Sequence, residues 1–344
     1  ALKALYNATG GDNWTDRSGW ENINTTATKD DVTTQWKGIM RIQDGHITQL
    51  NFYYNNLTGV LPEEIGNLQW LTRLIVHYNK LQGPLPESLK TLTSLTGVNL
   101  SFMNLNSPFP FDFVASWPNL MELQLSHCSL RGPLSDVFMH TPQLNTLDIS
   151  NNQLSGEMPP SINLPNFLEF HCANNHFSGV LPVLQNSVQT YRLSLSANEF
   201  TGSIPDHYGD LNLQYLDVQS NNLSGIIPAG LFKGWFTELY IQENFFTFAD
   251  IEPVLAQINA LTRKDITSTK KYPLSSTTVN LNAGETLNLN AVTLSETTSR
   301  MASRSETTSA QPHPAASMVT SPNPSWSPPR SMTEGTTAIA ASEY

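Results

Sequence analysis

Two pairs of carboxylates, Asp148 with Glu169 and Asp217 with Glu238, sit 21 residues apart in a chain that repeats every 23–25 residues. That spacing puts each pair on neighbouring strands, offset diagonally by two residues and about 7–8 Å apart. An inverting glycosidase holds its acid and base about 6.5–9.5 Å apart. The open sheet expected here supplies neither the enclosure nor the desolvation that lifts one carboxyl pKa, so a solvated acidic face is the expectation. His77, His127 and His171 fall on the same sheet but two coils apart each time, too far to share a metal bound at about 2 Å. No G-x-S-x-G, H-E-x-x-H, C-x-x-C, phosphate-loop or dinucleotide signature occurs. The expectation is a protein that is not an enzyme and holds neither metal nor cofactor.

A second constellation is aromatic. One column of the repeat reads Tyr54, Tyr78, Phe102 and His127 before turning to Asn151, Asn174 and Ala197, and the column before it holds Tyr53 and His77. Successive members lie about 4.8 Å apart in space if the coils stack. Two readings stand. Aromatics suit strands, and return loops could cover these. Alternatively they form an exposed ridge on coils one to four that stacks on sugar rings or anchors a peptide. Tyr240 joins Asp148, Glu169 and Asp217 as the candidate contacts of the remaining, acidic coils, which favour a basic or polyhydroxylated partner.

The elements that position these residues follow from the repeat. Nine anchors, Asn55, Asn79, Met103, Cys128, Asn152, Asn175, Asn198, Asn221 and Asn244, are spaced by 23–25 residues. Apolar residues stand five and three before each anchor (Leu50 and Phe52, Leu216 and Val218) and two after it (Leu57, Leu223). Alternation followed by an irregular return predicts one strand per coil and a core shared between coils. The amide column, Asn55, Asn79, Asn152, Asn175, Asn198, Asn221 and Asn244, predicts a ladder satisfying buried backbone groups. Cys128 can substitute in its slot, whereas Met103 cannot and predicts local irregularity. Glycine follows the anchor by four residues in seven coils and proline by seven residues in seven, bending each coil at one place.

This phrase, LxxLxLxxNxLxGx(I/L)P, resembles the plant-type leucine-rich repeat found in receptor ectodomains, polygalacturonase inhibitors and microbial surface proteins. The resemblance covers residues 47–248 and implies an α/β solenoid, a right-handed leucine-rich-repeat superhelix with a parallel concave sheet. The opening "ALKALYNATGGDNWTDRSGW" with "QWKGI" resembles the cap of bacterial surface proteins of this kind. Plant caps carry a cysteine pair where this chain has Thr34 and Arg41, which points away from a plant receptor.

The 344 residues carry a net charge of −11, which disfavours nucleic acid as a partner. No apolar run approaches the ~18 residues of a membrane span. The chain lacks an initiator Met and reads as a mature product or fragment. Cys128 and Cys172, two coils apart, are expected as free, buried thiols. The six N-x-[ST] sequons discriminate little in so Asn-rich a repeat. Residues 1–46 are expected to form an N-terminal cap around Trp14, Trp20 and Trp36, 249–270 a closing helix, 271–294 the hairpin-like start of a truncated domain, and 295–344 a disordered Ser/Thr/Pro/Ala-rich tail. The tail reads either as a stalk or as the product of a frame error. Together these expectations describe a monomeric, non-catalytic module of a secreted or cell-surface protein, binding protein or polysaccharide through its concave face. A receptor ectodomain or inhibitor of the plant kind, and an adhesive spacer, are the alternatives.

Overall fold

The computed structural model describes residues 1–266 except 27, 106, 107, 109–111 and 135. The expected hairpin at 271–294 and the tail at 295–344 lie outside the described residues. Eleven strands form one sheet. Nine belong to the coils: His46–Asn51, Arg73–Ile75, Gly97–Asn99, Glu122–Gln124, Thr146–Asp148, Glu169–His171, Arg192–Ser194, Tyr215–Asp217 and Glu238–Tyr240. Each pairs in parallel with the next without slippage, for example Glu169↔Arg192 and Phe170↔Leu193. Period-2 patterning fixes this register. The middle residue of each short strand, from Leu74 to Leu239, is buried in a single continuous core, and a one-residue slip would turn it outward.

The amide ladder forms as the sequence predicts. Asn152 accepts from the backbone N–H of Cys128 and Leu130 (both 3.0 Å) and donates to the carbonyls of Leu125 and Ile149 (2.9 and 3.0 Å). Asn79 does the same three coils earlier, accepting from Asn55 N and Leu57 N and donating to Phe52 O and Val76 O. Cys128 keeps half of the function: its thiol reaches the carbonyls of Leu100 and Ser126 at 3.2 and 3.4 Å. Met103 fills its slot with carbon, and the backbone N–H of Leu105 turns to the carbonyls of Met103 and Cys128. The return that follows departs from its neighbours, carrying a one-turn helix at Asp112–Ala115.

Three features go beyond the expectation of one strand per coil. Just past the anchors, short segments such as Arg131–Pro133, Gln153–Gly156 and His176–Phe177 pair in parallel as small secondary sheets. Gly156, like the six other glycines of its column, has a positive φ (83°), so the chain turns there at no Cβ cost. Prolines 62, 86, 159, 205 and 228 each stand at the N-cap of a 3₁₀ turn that packs the return.

Both ends are closed. At the N-terminus Trp14, Trp20 and Trp36 are buried, with ring centroids 5.0–5.2 Å from one another or from Phe52 of coil one. The indole N–H of Trp14 donates to Thr9 O and that of Trp20 to Lys37 O. Strand Ile39–Gln43 pairs antiparallel with the first coil strand. Its turn is Asp44–Gly45, both at positive φ, a hairpin geometry that adds an antiparallel strand outside the first coil. At the far end the helical stretch is shorter than expected: it runs from Phe248 to Ala260 in three pieces and buries Ile251, Val254 and Ile258. The chain then returns as a strand, Arg263–Asp265, parallel to Glu238–Tyr240. Cys128 and Cys172 are both buried and free.

Candidate functional site

The backbone residue before every anchor, in all nine coils, is left-handed: φ lies between 49° and 63° from Tyr54 through Tyr78, Phe102, His127, Asn151, Asn174, Ala197 and Ser220 to Glu243. This column is therefore a turn that ends the strand, and strand propensity explains none of its aromatics. Left-handed geometry costs a bulky L-residue about 1–2 kcal/mol, and Asn, found at 151 and 174, tolerates it best. Coils one to four place four aromatic rings on it instead.

These rings are not covered by return loops. Tyr54 is 69% exposed, Tyr53 50% and Tyr78 45%; His127 is exposed, and Phe102 and His77 are half-buried. They form one stack. Tyr78 lies 4.0 Å from Phe102 and Phe102 4.3 Å from His127, each pair within 20° of parallel. Tyr53 lies 4.6 Å from His77 and meets Tyr78 edge-on at 5.7 Å. Burial pushes the His77 imidazole pKa down, against a smaller pull from Glu122, so it is neutral near pH 7.

The acidic coils differ from their expected form. The register does set Asp148 diagonal to Glu169 and Asp217 diagonal to Glu238, but the carboxylates are not free. Asp217 is buried, correcting the solvated-face expectation: desolvation pushes its pKa up, while hydrogen bonds from Ser196, Gln219 and Tyr215 oppose that. The cause is its neighbours, since Tyr215 and Gln219 fold over it from its own coil. Burial also lifts Glu169, yet bonds from Tyr191 and His171 outweigh it and leave the pKa lowered. Asp148 accepts from Ser150 N and Oγ at 3.0 and 2.6 Å. Glu238 has Arg263 at 3.6 Å, and Tyr240 turns its hydroxyl to Glu238 at 3.4 Å. Arg192 covers the Tyr215 ring at 3.9 Å. The candidate residues thus divide into an aromatic ridge (Tyr53, Tyr54, His77, Tyr78, Phe102, His127) and four residues each engaged by its own neighbours (Asp148, Glu169, Asp217, Tyr240).

Comparison with known proteins agrees with this architecture. Residues 46–68, 143–164 and 212–233 match the Leucine Rich Repeat family model. The fold is a leucine-rich-repeat solenoid. Among solved structures similar to it is the PEPR1–AtPEP1 complex, at 27% identity and TM-score 0.61, covering 72% of this chain and 35% of that one. Another is the plant peptide hormone receptor RGFR1 in complex with RGF2, at 26% identity and TM-score 0.56, covering 62% and 35%. A leucine-rich-repeat protein of Leptospira interrogans aligns at 25% identity and TM-score 0.54, over 62% of this chain and 53% of that one. The solenoid spans about a third of the length of the two plant proteins. No curated protein sequence matches. No helix among the described residues is long and apolar enough to cross a membrane.

Proposed function

We propose that this solenoid is a non-catalytic recognition module of a secreted or cell-surface protein, and that its ligand is a peptide or an extended protein segment laid along the ridge of coils one to four. The observation that carries the reading is the exposed aromatic stack held on left-handed backbone. Strain and exposed apolar area together are what a scaffold discards unless a ligand uses them. Peptide complexes among the similar folds support the same ligand class. On its cap residues, Thr34 and Arg41 among them, we group the chain with bacterial surface proteins rather than plant receptors.

The stack geometry favours protein over glycan. Sugar rings dock on free aromatic faces, but at 4.0–4.3 Å the faces of Tyr78, Phe102 and His127 cover one another. What the ridge offers along its length is ring edges, which pack against side chains and C–H groups. Tyr54 is the exception, 6.0 Å from Tyr53 and largely open, and it supports a second reading in which one sugar ring stacks there.

The test is binding of the intact chain to arrays of peptides, cell-surface proteins and polysaccharides, beside a Tyr54→Ala/Tyr78→Ala variant. The expected result is a protein or peptide ligand whose affinity falls at least about thirtyfold in the folded variant, the size of an interface hot spot. A ligand bound equally by both forms would sink the ridge.

A further inference from the structure

Ring edges grip without discriminating, so a ligand's identity has to be read beside the ridge. There, on the concave strands of coils one to four, lies a recess of about 150 Å³ bordered by Asn51, Tyr53, Arg73, His77, Gly97 and Glu122. It exists because coil three carries glycine where its neighbours carry Arg73 and Glu122, the three being aligned across adjacent strands. With nothing between them, Arg73 Nη2 reaches Glu122 Oε2 at 2.5 Å, over two strand spacings, or about 10 Å of backbone. Gly97 is a strand residue outside the positive-φ set, so its lack of a side chain serves space rather than backbone conformation. A Cβ there would lie 3.3 Å from Arg73 Cζ and Nε.

The recess carries no net charge. Arg73 and Glu122 neutralise each other, and the neutral His77 ring, stacked on Tyr53 at 4.6 Å, adds none. Hydrogen-bonding capacity remains. A guanidinium has five N–H donors and a carboxylate about four acceptor positions. The Arg73–Glu122 contact uses one of each, and Gln124 Nε2 takes a position on Glu122 Oε1. Asn51 Oδ1 is engaged by Tyr53 N, which keeps its Nδ2 as a further donor.

We propose that this recess is a side-chain pocket for a carboxamide residue, Asn or Gln, of the peptide lying on the ridge; it rests on the peptide reading above. A carboxylate entering it would meet Glu122, and a cation would meet Arg73. An aliphatic group would desolvate the ion pair without replacing its water bonds. A carboxamide offers an oxygen to the guanidinium and an N–H to the carboxylate. The recess, about 150 Å³, has room for the side chain of Asn or Gln.

The test pans a display library of random linear 12-residue peptides against the intact chain and against Gly97→Leu, Glu122→Ala and Tyr78→Ala variants, with thermal melts to confirm folding. The intact chain should enrich Asn or Gln at one fixed position, and replacing it by Asp or Lys should weaken binding at least tenfold. Gly97→Leu, which fills the recess, should abolish that preference. Glu122→Ala, which unpairs Arg73 without adding bulk, should convert it to Asp or Glu. Enrichment of a charged or aliphatic residue by the intact chain, or the same preference in all variants, overturns the pocket. So does an absence of enriched peptides. Peptides sensitive to Tyr78→Ala but not to Gly97→Leu would leave the ridge standing and remove the pocket. The reverse would keep the pocket and remove the ridge.

Discussion

At the scale of single residues the repeat is a problem in satisfying buried backbone, and the anchor column solves it. An Asn amide has an acceptor and two donors, which is what a stacked turn lacks, so the ladder could be read directly from spacing and chemistry. Cys128 shows how far the slot can be stretched. Its S–H keeps weak contacts to Leu100 O and Ser126 O, but the thiol is buried, and desolvation pushes its pKa from 9.0 up to about 12. The folded pKa exceeds the unfolded one, so the associated stability is fully present below pH 9 and is lost as pH rises from 9 through 12. At pH 10.5 that amounts to about 2 kcal/mol, from 1.5 units at about 1.4 kcal/mol each. Urea midpoints at pH 8 and 10.5 check this: the parent should lose more stability between them than Cys128→Ala does. Equal losses would mean that the thiol stays protonated in the unfolded chain as well, or that it reaches solvent in the folded one. Asp217 is the residue whose state the sequence concealed. Its column faces outward along the strands, and the side chains of Tyr215 and Gln219 from its own coil, with Ser196 from the preceding one, engage it as it is buried.

At the scale of the coil, strands, core and proline-marked returns were legible because each leaves a periodic apolar or conformational mark. The left-handed column was not. It accepts Tyr, Phe, His, Asn, Ala, Ser and Glu alike, so composition carries no signature of the turn, and the aromatics looked like ordinary strand residues. The secondary sheets and the final strand Arg263–Asp265 escaped for related reasons: two-residue pairings are shorter than any pattern, and a charged triplet lacks the inward leucine. The left-handed column yields a prediction that separates scaffold from function. Tyr54 is the most exposed ring and touches only Tyr53 among the ridge rings. Tyr54→Asn should therefore relieve backbone strain at little packing cost and stabilise the fold by about 0.5–1 kcal/mol, part of the left-handed penalty of about 1–2. The same variant should bind ligand more weakly. Thermal melts and titrations on one preparation check both signs. A destabilised variant would show that Tyr54 serves packing.

At the scale of the whole array, position along the solenoid decides what each injury does. Coils contact their neighbours, so damage spreads from an opened end rather than evenly. The ridge lies on coils one to four, next to the tryptophan cap, and the two are joined directly. Asn55, the first rung of the ladder, accepts from Asp16 N at 2.7 Å and donates to Asp16 O at 2.8 Å, and Phe52 packs on Trp14 and Trp20. Trp20 is fully buried, and its loss to alanine should cost about 3–5 kcal/mol. That energy is taken from the coils that hold the ridge, so Trp20→Ala should raise amide exchange first in coils one to three and weaken ligand binding without any contact to the ligand. An equally severe lesion at the other end, Leu239→Ala in coil nine, should raise exchange around Glu238–Ile258 and leave ridge binding intact. Hydrogen exchange followed segment by segment, with binding measured on the same variants, distinguishes these outcomes. If both lesions weaken binding alike, the nine coils unfold as a single unit, and proximity to the cap confers nothing on the ridge.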